Sequence, residues 1–227
     1  MSPDMLTGLI LAGGQARRMQ GAAATSSTTL PPDREEKVPV PVVPGQTRPN
    51  SIDKGLLDWH GQPLAAHAHR VLTPYVQTML VSANRAGQNY AAYGQVLADD
   101  PALGVDLGPL AGVERALAAA QTPWLLVLPV DVVNLPPSLV PDLLAAVHAV
   151  SSPIAYARTA ERAHPLCMAL HTRLAGSLRN YLKAGDRKVQ LWQQQHQAVP
   201  VLFRGDDLFF NINTPQDLAY ASQCWKS

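Results

Sequence analysis

Between residues 63 and 150 the chain alternates segments that read as helices with short apolar segments that read as strands. Pro63 to Leu72 places Leu64, His67, Ala68 and Val71 on one helical face, and Thr78 to Val81 then reads as a strand ending at Ser82-Ala83-Asn84-Arg85. Gln95 to Ala98 is a second strand, closed by Asp99-Asp100. Gly108-Pro109 opens a helix through Ala120, with Leu110, Val113, Ala116 and Leu117 spaced for burial. Trp124 to Val130 is the most apolar strand and stops at Asp131, and Pro136-Pro137 start a helix running to about Val150. Such alternation leaves one economical fold class: a single α/β, Rossmann-like domain whose mainly parallel sheet carries helices on both faces.

The flanks extend the pattern. Leu6 to Leu11 reads as a buried strand closed by the turn Ala12-Gly13-Gly14. Toward the other end, Pro153 to Ala157, Leu166 to Leu170 and Val199 to Phe203 read as strands, and Thr172 to Lys183 as a helix stopped by Gly185. Thr214-Pro215-Gln216-Asp217 spells a helix start, with Thr214 as cap, Pro215 at the first helical position and Asp217 completing a capping box. Residues 20–52 break the pattern: they hold no aromatic residue, six of the chain's 20 prolines, a Ser/Thr run from Thr25 to Thr29, and three positive against three negative charges. Their composition predicts a flexible insert in one domain spanning residues 1–227.

Charge and cysteine content exclude several classes. Eighteen Lys and Arg against 17 Asp and Glu give a net charge of +1 with no basic pole, which argues against nucleic-acid or membrane-surface binding. The two cysteines, Cys167 and Cys224, have no partners at metal spacing, so neither a disulfide framework nor a structural zinc is expected, and a reducing cytoplasm is the default. Cys167, between Leu166 and Met168, reads as a small buried hydrophobe. No apolar run is long enough to span a bilayer.

In open α/β sheets ligands bind beyond the carboxyl ends of the strands. Those ends carry Ala12-Gly13-Gly14 followed by Arg17 and Arg18, then Ser82, Asp99 and Asp131. Glycines let backbone N–H groups approach phosphate oxygens, guanidiniums grip them, and a carboxylate can hold Mg²⁺ beside them. The set points to phosphate-bearing nucleotide chemistry. Each member also has a plainer reading: Gly13-Gly14 as a turn, Asp131 as a turn cap, Lys54, Arg17 and Arg18 as solvated charges. Neither the dinucleotide fingerprint nor the P-loop pattern is present.

The order of the pieces resembles the molybdenum cofactor guanylyltransferases, a nucleotidyltransferase family. The matching stretches are Leu11 to Met19 (LAGGQARRM), Asp53 to Leu57 (DKGLL), Gly108 to Gly112 (GPLAG), Pro129-Val130-Asp131, Tyr181 to Arg187, and Asn211 to Pro215. The resemblance implies that Leu11, Ala12 and Gly13 contact the guanine nucleotide. It also implies that Lys54 neutralises the α-phosphate, that Arg18 holds the departing pyrophosphate, and that Ser82 and Asp99 lie on the nucleotide side. Asp131 would ligate Mg²⁺, and Asn213 would lie near the metal or the acceptor phosphate. The implied substrates are GTP and molybdenum-bound molybdopterin, with cofactor-delivery proteins or molybdoenzymes as partners of a monomer.

Three departures stand out. The family usually has cysteine where Val130 stands and asparagine where Ser82 aligns. It also joins the Arg-Arg-Met motif to Asp-Lys by about three residues, where here 33 intervene. The longer connection costs only on the order of 2 kcal/mol in closure entropy, so the site survives it if its ends still meet. Two other functions stay open at this point: a cytidylyl-transferring sister enzyme, which tends to carry Ala-Ala-Gly where this chain has Ala12-Gly13-Gly14, and a non-catalytic relative that only binds nucleotide or delivers cofactor.

Overall fold

The computed structural model describes residues 6–12, 53–104 and 107–225. In chain order the strands are β1 (Leu6–Leu11), β2 (Asp58–Trp59), β3 (Gln62–Pro63), β4 (Thr78–Ser82), β5 (Gln95–Leu97), β6 (Trp124–Pro129), β7 (Val132–Val133), β8 (Ile154–Arg158), β9 (Ala163–His171), β10 (Val199–Leu202) and β11 (Phe210–Asn211). The helices are α1 (Leu64–Leu72), α2 (Gly87–Tyr90), α3 (Pro109–Ala119), α4 (Leu139–Ala149), α5 (Ala175–Lys183), α6 (Val189–Gln195) and α7 (Pro215–Cys224). The main sheet has seven strands in the order β10-β8-β9-β6-β1-β4-β5. β9 alone runs against its two neighbours, β6 and β8, while every other neighbouring pair is parallel.

The period-two alternation of β6 builds both halves of the core. Trp124, Leu126, Leu128 and Val130 pack on one face with Leu64, Ala68, Leu139 and Leu143 of α1 and α4. Leu125 and Val127 point to the other face, toward Leu110, Val113 and Leu117 of α3 and Leu178 of α5. Every residue of β6 is buried, as expected of a strand covered on both sides. Val130 is only 4% exposed in the α1/α4 layer, so the cysteine-to-valine departure falls in the core. Cys167 is buried there too, and burial pushes its thiol pKa up, in keeping with a packing role.

Several element boundaries differ from the sequence reading. Pro136 and Pro137 form a turn, closed by Leu139 N–H donating to the Pro136 carbonyl, and α4 starts at Leu139 instead. Pro63 lies in β3 and caps α1 without joining it. The expected strand at Leu166–Leu170 is the centre of the longer β9. The expected helix from Thr172 opens with a single 3₁₀ turn before α5 begins at Ala175. The β2–β3 hairpin, α2, α6 and the short β7–β11 ribbon carry too few residues for a periodic signal. The capping box at α7 forms as read: Asp217 N–H donates to Thr214 Oγ1 and Thr214 N–H to Asp217 Oδ2. The insert at 20–52, with Gly13, Arg17 and Arg18, lies outside the described residues. Among the described residues no helix is long and apolar enough to cross a membrane.

Candidate active site

Sheet order converts the expected ligand edge into a spatial row. Across β6, β1, β4 and β5 the strand ends present Asp131, then Leu11 and Ala12, then Ser82, then Asp99. With neighbouring strands about 4.8 Å apart, the row spans roughly 15 Å. Backbone bonds continue the ladder to the rim: Val130 N–H donates to Leu11 C=O at 3.2 Å, and Ala12 N–H to Ser82 C=O at 3.0 Å. Leu11 and Ala12 are buried and tied into the sheet by these bonds.

Lys54 is no solvated surface charge. Its side chain is 12% exposed and its Nζ donates to Asp131 Oδ2 at 3.2 Å and to Asn213 Oδ1 at 2.7 Å. Local structure delivers it there. Asp53 caps the 3₁₀ turn Lys54–Leu56: its Oδ1 accepts from Gly55 N–H at 3.2 Å and its carbonyl from Leu56 N–H at 3.1 Å. Asp131 arrives directly after β6. Asn213 is held from two sides. Its own N–H donates to Asp217 Oδ2 at 2.8 Å, and Ile212 N–H donates to the Asp131 carbonyl at 2.8 Å. The β7–β11 pairing, Phe210 with Val133 and Asn211 with Val132, continues that bond. An ammonium, a carboxylate and an amide oxygen from three remote parts of the chain thus meet at one point.

At the far end of the row Asp99 is clamped by Asn84. Asn84 Nδ2 donates to Asp99 Oδ2 at 2.8 Å, and Asp99 N–H donates to Asn84 Oδ1 at 2.8 Å. Asn84 was visible in the sequence as part of the β4 end, but only the fold pairs it with Asp99. The next residue, Asp100, accepts from Arg179 Nη2 at 2.8 Å, while Arg179 Nη1 donates to buried Glu114 Oε1 at 2.6 Å. The Ala102 N–H bond, and after it the Arg179 guanidinium, lower the Asp100 carboxyl pKa. Ser82 is buried against α3, where a Cβ on Gly112 would collide with its hydroxyl oxygen. This close approach explains the last glycine of Gly108-Pro109-Leu110-Ala111-Gly112: only glycine lets α3 pack onto the end of β4.

The donors at Lys54 suit a hard divalent cation. Asp131 offers a carboxylate 27% exposed, and Asn213 an amide oxygen. No cluster of three or more His, Cys, Asp or Glu side chains that could cage a metal occurs among the described residues.

Residues 45–199 match the family model described as the MobA-like NTP transferase domain. Together with the parallel sheet and its rim of charged strand ends, the match defines the chain as a nucleotidyltransferase-class protein. It is 34% identical over 224 residues to the molybdenum cofactor guanylyltransferase of Shewanella loihica, covering 98% of each chain. It is also 36% identical over 225 residues to the protein of the same name from Burkholderia ambifaria, covering 94% of each. The chain belongs to the molybdenum cofactor guanylyltransferase family. Its fold also superposes on molybdopterin-guanine dinucleotide biosynthesis protein A from Archaeoglobus fulgidus with a TM-score of 0.67, over 96% of this chain and 97% of that one, at 18% identity.

Proposed function

We propose that this protein transfers GMP from GTP to molybdenum-bound molybdopterin, forming the guanine dinucleotide cofactor and releasing pyrophosphate. The observation that carries the reading is the convergence of Lys54, Asp131 and Asn213 at the end of β6, within a chain that is a family member over nearly its whole length. A terminal phosphate oxygen of the acceptor attacks the α-phosphorus of GTP, a new P–O bond forms, and the bond to the β-phosphate breaks with pyrophosphate leaving. Little covalent chemistry falls to the protein, so positioning and charge neutralisation supply the rate.

The row of strand ends supports a nucleotide laid across β6, β1, β4 and β5, its guanine side toward Asp99 and Ser82 and its phosphates toward Lys54. Leu11 and Ala12 line the middle, Gly13 contacts the nucleotide, and Arg18 takes the pyrophosphate. Lys54 orients the α-phosphate and offsets its charge, while Asn213 holds the ammonium and faces the acceptor. Asp131 and Asn213 would hold Mg²⁺, which when bound neutralises charge on the phosphate oxygens. The protein works as a cytoplasmic monomer, with cofactor-delivery proteins or molybdoenzymes taking its product. Pyrophosphate release with molybdopterin as acceptor, compared for GTP and CTP, is the test. Release with GTP alone supports the assignment, a preference for CTP makes the protein a cytidylyltransferase, and binding without release makes it a carrier.

A further inference from the structure

Lys54 sits between two residues that touch the same buried side chain. Asp53 Oδ1 accepts a hydrogen bond from the Tyr90 hydroxyl, and on the other side of the lysine Gly55 lies against the Tyr90 ring. A Cβ on Gly55 would collide with the Tyr90 hydroxyl oxygen and stand 3.0 Å from Cε1 and 3.1 Å from Cζ, tighter than nine in ten real Cβ contacts, so the phenol occupies the space that glycine leaves free. Tyr90 is fully buried, at the end of α2 beyond the β4 strand end, and its ring joins the α1/α4 core layer. The Asp53 carboxylate therefore takes two donors, Tyr90 O–H and Gly55 N–H, and the turn that bears Lys54 is gripped on both flanks.

From this arrangement we propose that Tyr90 is a positioning residue for transfer: through Asp53 and Gly55 it sets where the Lys54 ammonium stands relative to Asp131 and Asn213. The inference rests on the reading of Lys54 as the group that meets the α-phosphate. Burial and the neighbouring Asp53 carboxylate both push the phenol pKa up, so Tyr90 keeps its proton and is the donor at neutral pH. The contact fixes Lys54 from the downstream side of the chain and asks nothing of the residues before Asp53. Misplacing a charge by a fraction of an ångström at a phosphoryl centre costs turnover more than binding, because the ammonium is used most fully in the transition state.

A double-mutant cycle on the full-length chain tests this. Tyr90→Phe keeps the ring against Gly55 and removes the donor to Asp53. It should lower kcat about 10-fold while KM for GTP stays within about twofold. In a Lys54→Ala background the same change should cost nothing more. An unaltered kcat in Tyr90→Phe would overturn the proposal, and so would an equal loss in both backgrounds, which would make Tyr90 a general support of the fold. Full turnover by Lys54→Ala would instead remove the lysine from the reaction, and the proposal with it. Should Tyr90→Phe fold poorly, Asp53 gives the second approach. Asp53→Ala should reproduce the kcat loss and Asp53→Asn, which keeps an acceptor oxygen, should recover most of the rate; equal rates in the two would count against the inference.

Discussion

Lys54 Nζ donates to Asn213 Oδ1 at 2.7 Å across 159 residues of sequence. Among the described residues this is the shorter of the lysine's two side-chain hydrogen bonds, and it couples the first turn after Asp53 to the residue just before the α7 cap. Asn213→Ala removes that acceptor and leaves Lys54 paired with Asp131 alone. We expect kcat to fall about 10-fold, with Asn213→Asp recovering part of it because an oxygen acceptor returns. Steady-state kinetics on the two variants decide the matter, and equal activity in the alanine form would remove the contact from the mechanism.

Lys54 itself should show a transition-state signature. Lys54→Ala should lower kcat on the order of 100-fold and raise KM for GTP far less. A pure KM effect would make the lysine a ground-state anchor. Arginine is not expected to substitute, because its planar fork cannot occupy the position of a compact ammonium between Asp131 and Asn213.

Asp131→Asn is nearly isosteric, and the bond from Ile212 N–H goes to the backbone carbonyl of residue 131, so the fold should persist. Activity should drop about 100-fold or more, since a neutral amide lacks the carboxylate's charge and so binds a hard cation and offsets the Lys54 ammonium more weakly. Circular dichroism and a Mg²⁺ titration of turnover measure the two halves of this expectation. Full turnover at ordinary Mg²⁺ would exclude Asp131 as a ligand.

His164 predicts how stability depends on pH. The ring is buried, stacked on Phe209 with centroids 4.5 Å apart, and its Nε2 has no hydrogen-bond partner among the described residues. Burial, with the nearby Arg162 charge as the smaller cause, holds its pKa down to about 4. In the unfolded chain it returns to roughly 6.5, so the unfolded state binds the extra proton first. Stability from this residue is therefore complete above about pH 6.5 and is lost as pH falls toward about 4. His67, His171 and His196, also lowered by burial, add in the same direction. Urea unfolding should show a loss of about 2 kcal/mol between pH 7 and pH 4.5 from His164, and His164→Gln should flatten the slope. An unchanged slope in that variant would place the titration elsewhere.

Replacing residues 21–52 with a three-residue glycine link should leave the protein folded and able to turn over GTP. Lys54 is held by Asp53, Gly55 and Tyr90, all outside the deletion, and the shorter connection gains on the order of 2 kcal/mol in closure entropy. Thermal melting and kcat check this together. A folded variant with a lost kcat would give the segment a part in the reaction, and an unfolded one would give it a part in the core.

What the sequence made legible follows the physics of periodicity. β1, β4, β6 and α3 were readable because burial on two faces, or on one helical stripe, writes itself into consecutive residues. The strand ends at Ser82, Asp99 and Asp131 followed from them. The reversed direction of β9 was not readable, since an apolar strand looks alike in both directions. α6 was missed because Val189–Gln195 buries Trp192 amid a run of glutamines, too thin a stripe to register. Asn84 with Asp99 and Tyr90 with Asp53 are pairings made by the fold alone. The β7–β11 ribbon, only two residues wide, belongs with them, although it sets the position of Asn213.

That ribbon sorts the residues around Lys54 into two groups. The bond from Ile212 N–H to the Asp131 carbonyl, continued by the paired residues behind it, zips Asp131 and Asn213 into one jaw. Asp53, Lys54 and Gly55 ride on Tyr90 and form the other. The jaws meet across the two side-chain bonds from Lys54. Among the described residues, the side-chain hydrogen bonds that join the two therefore all start from a single ammonium, so one charge carries the whole polar seam between them.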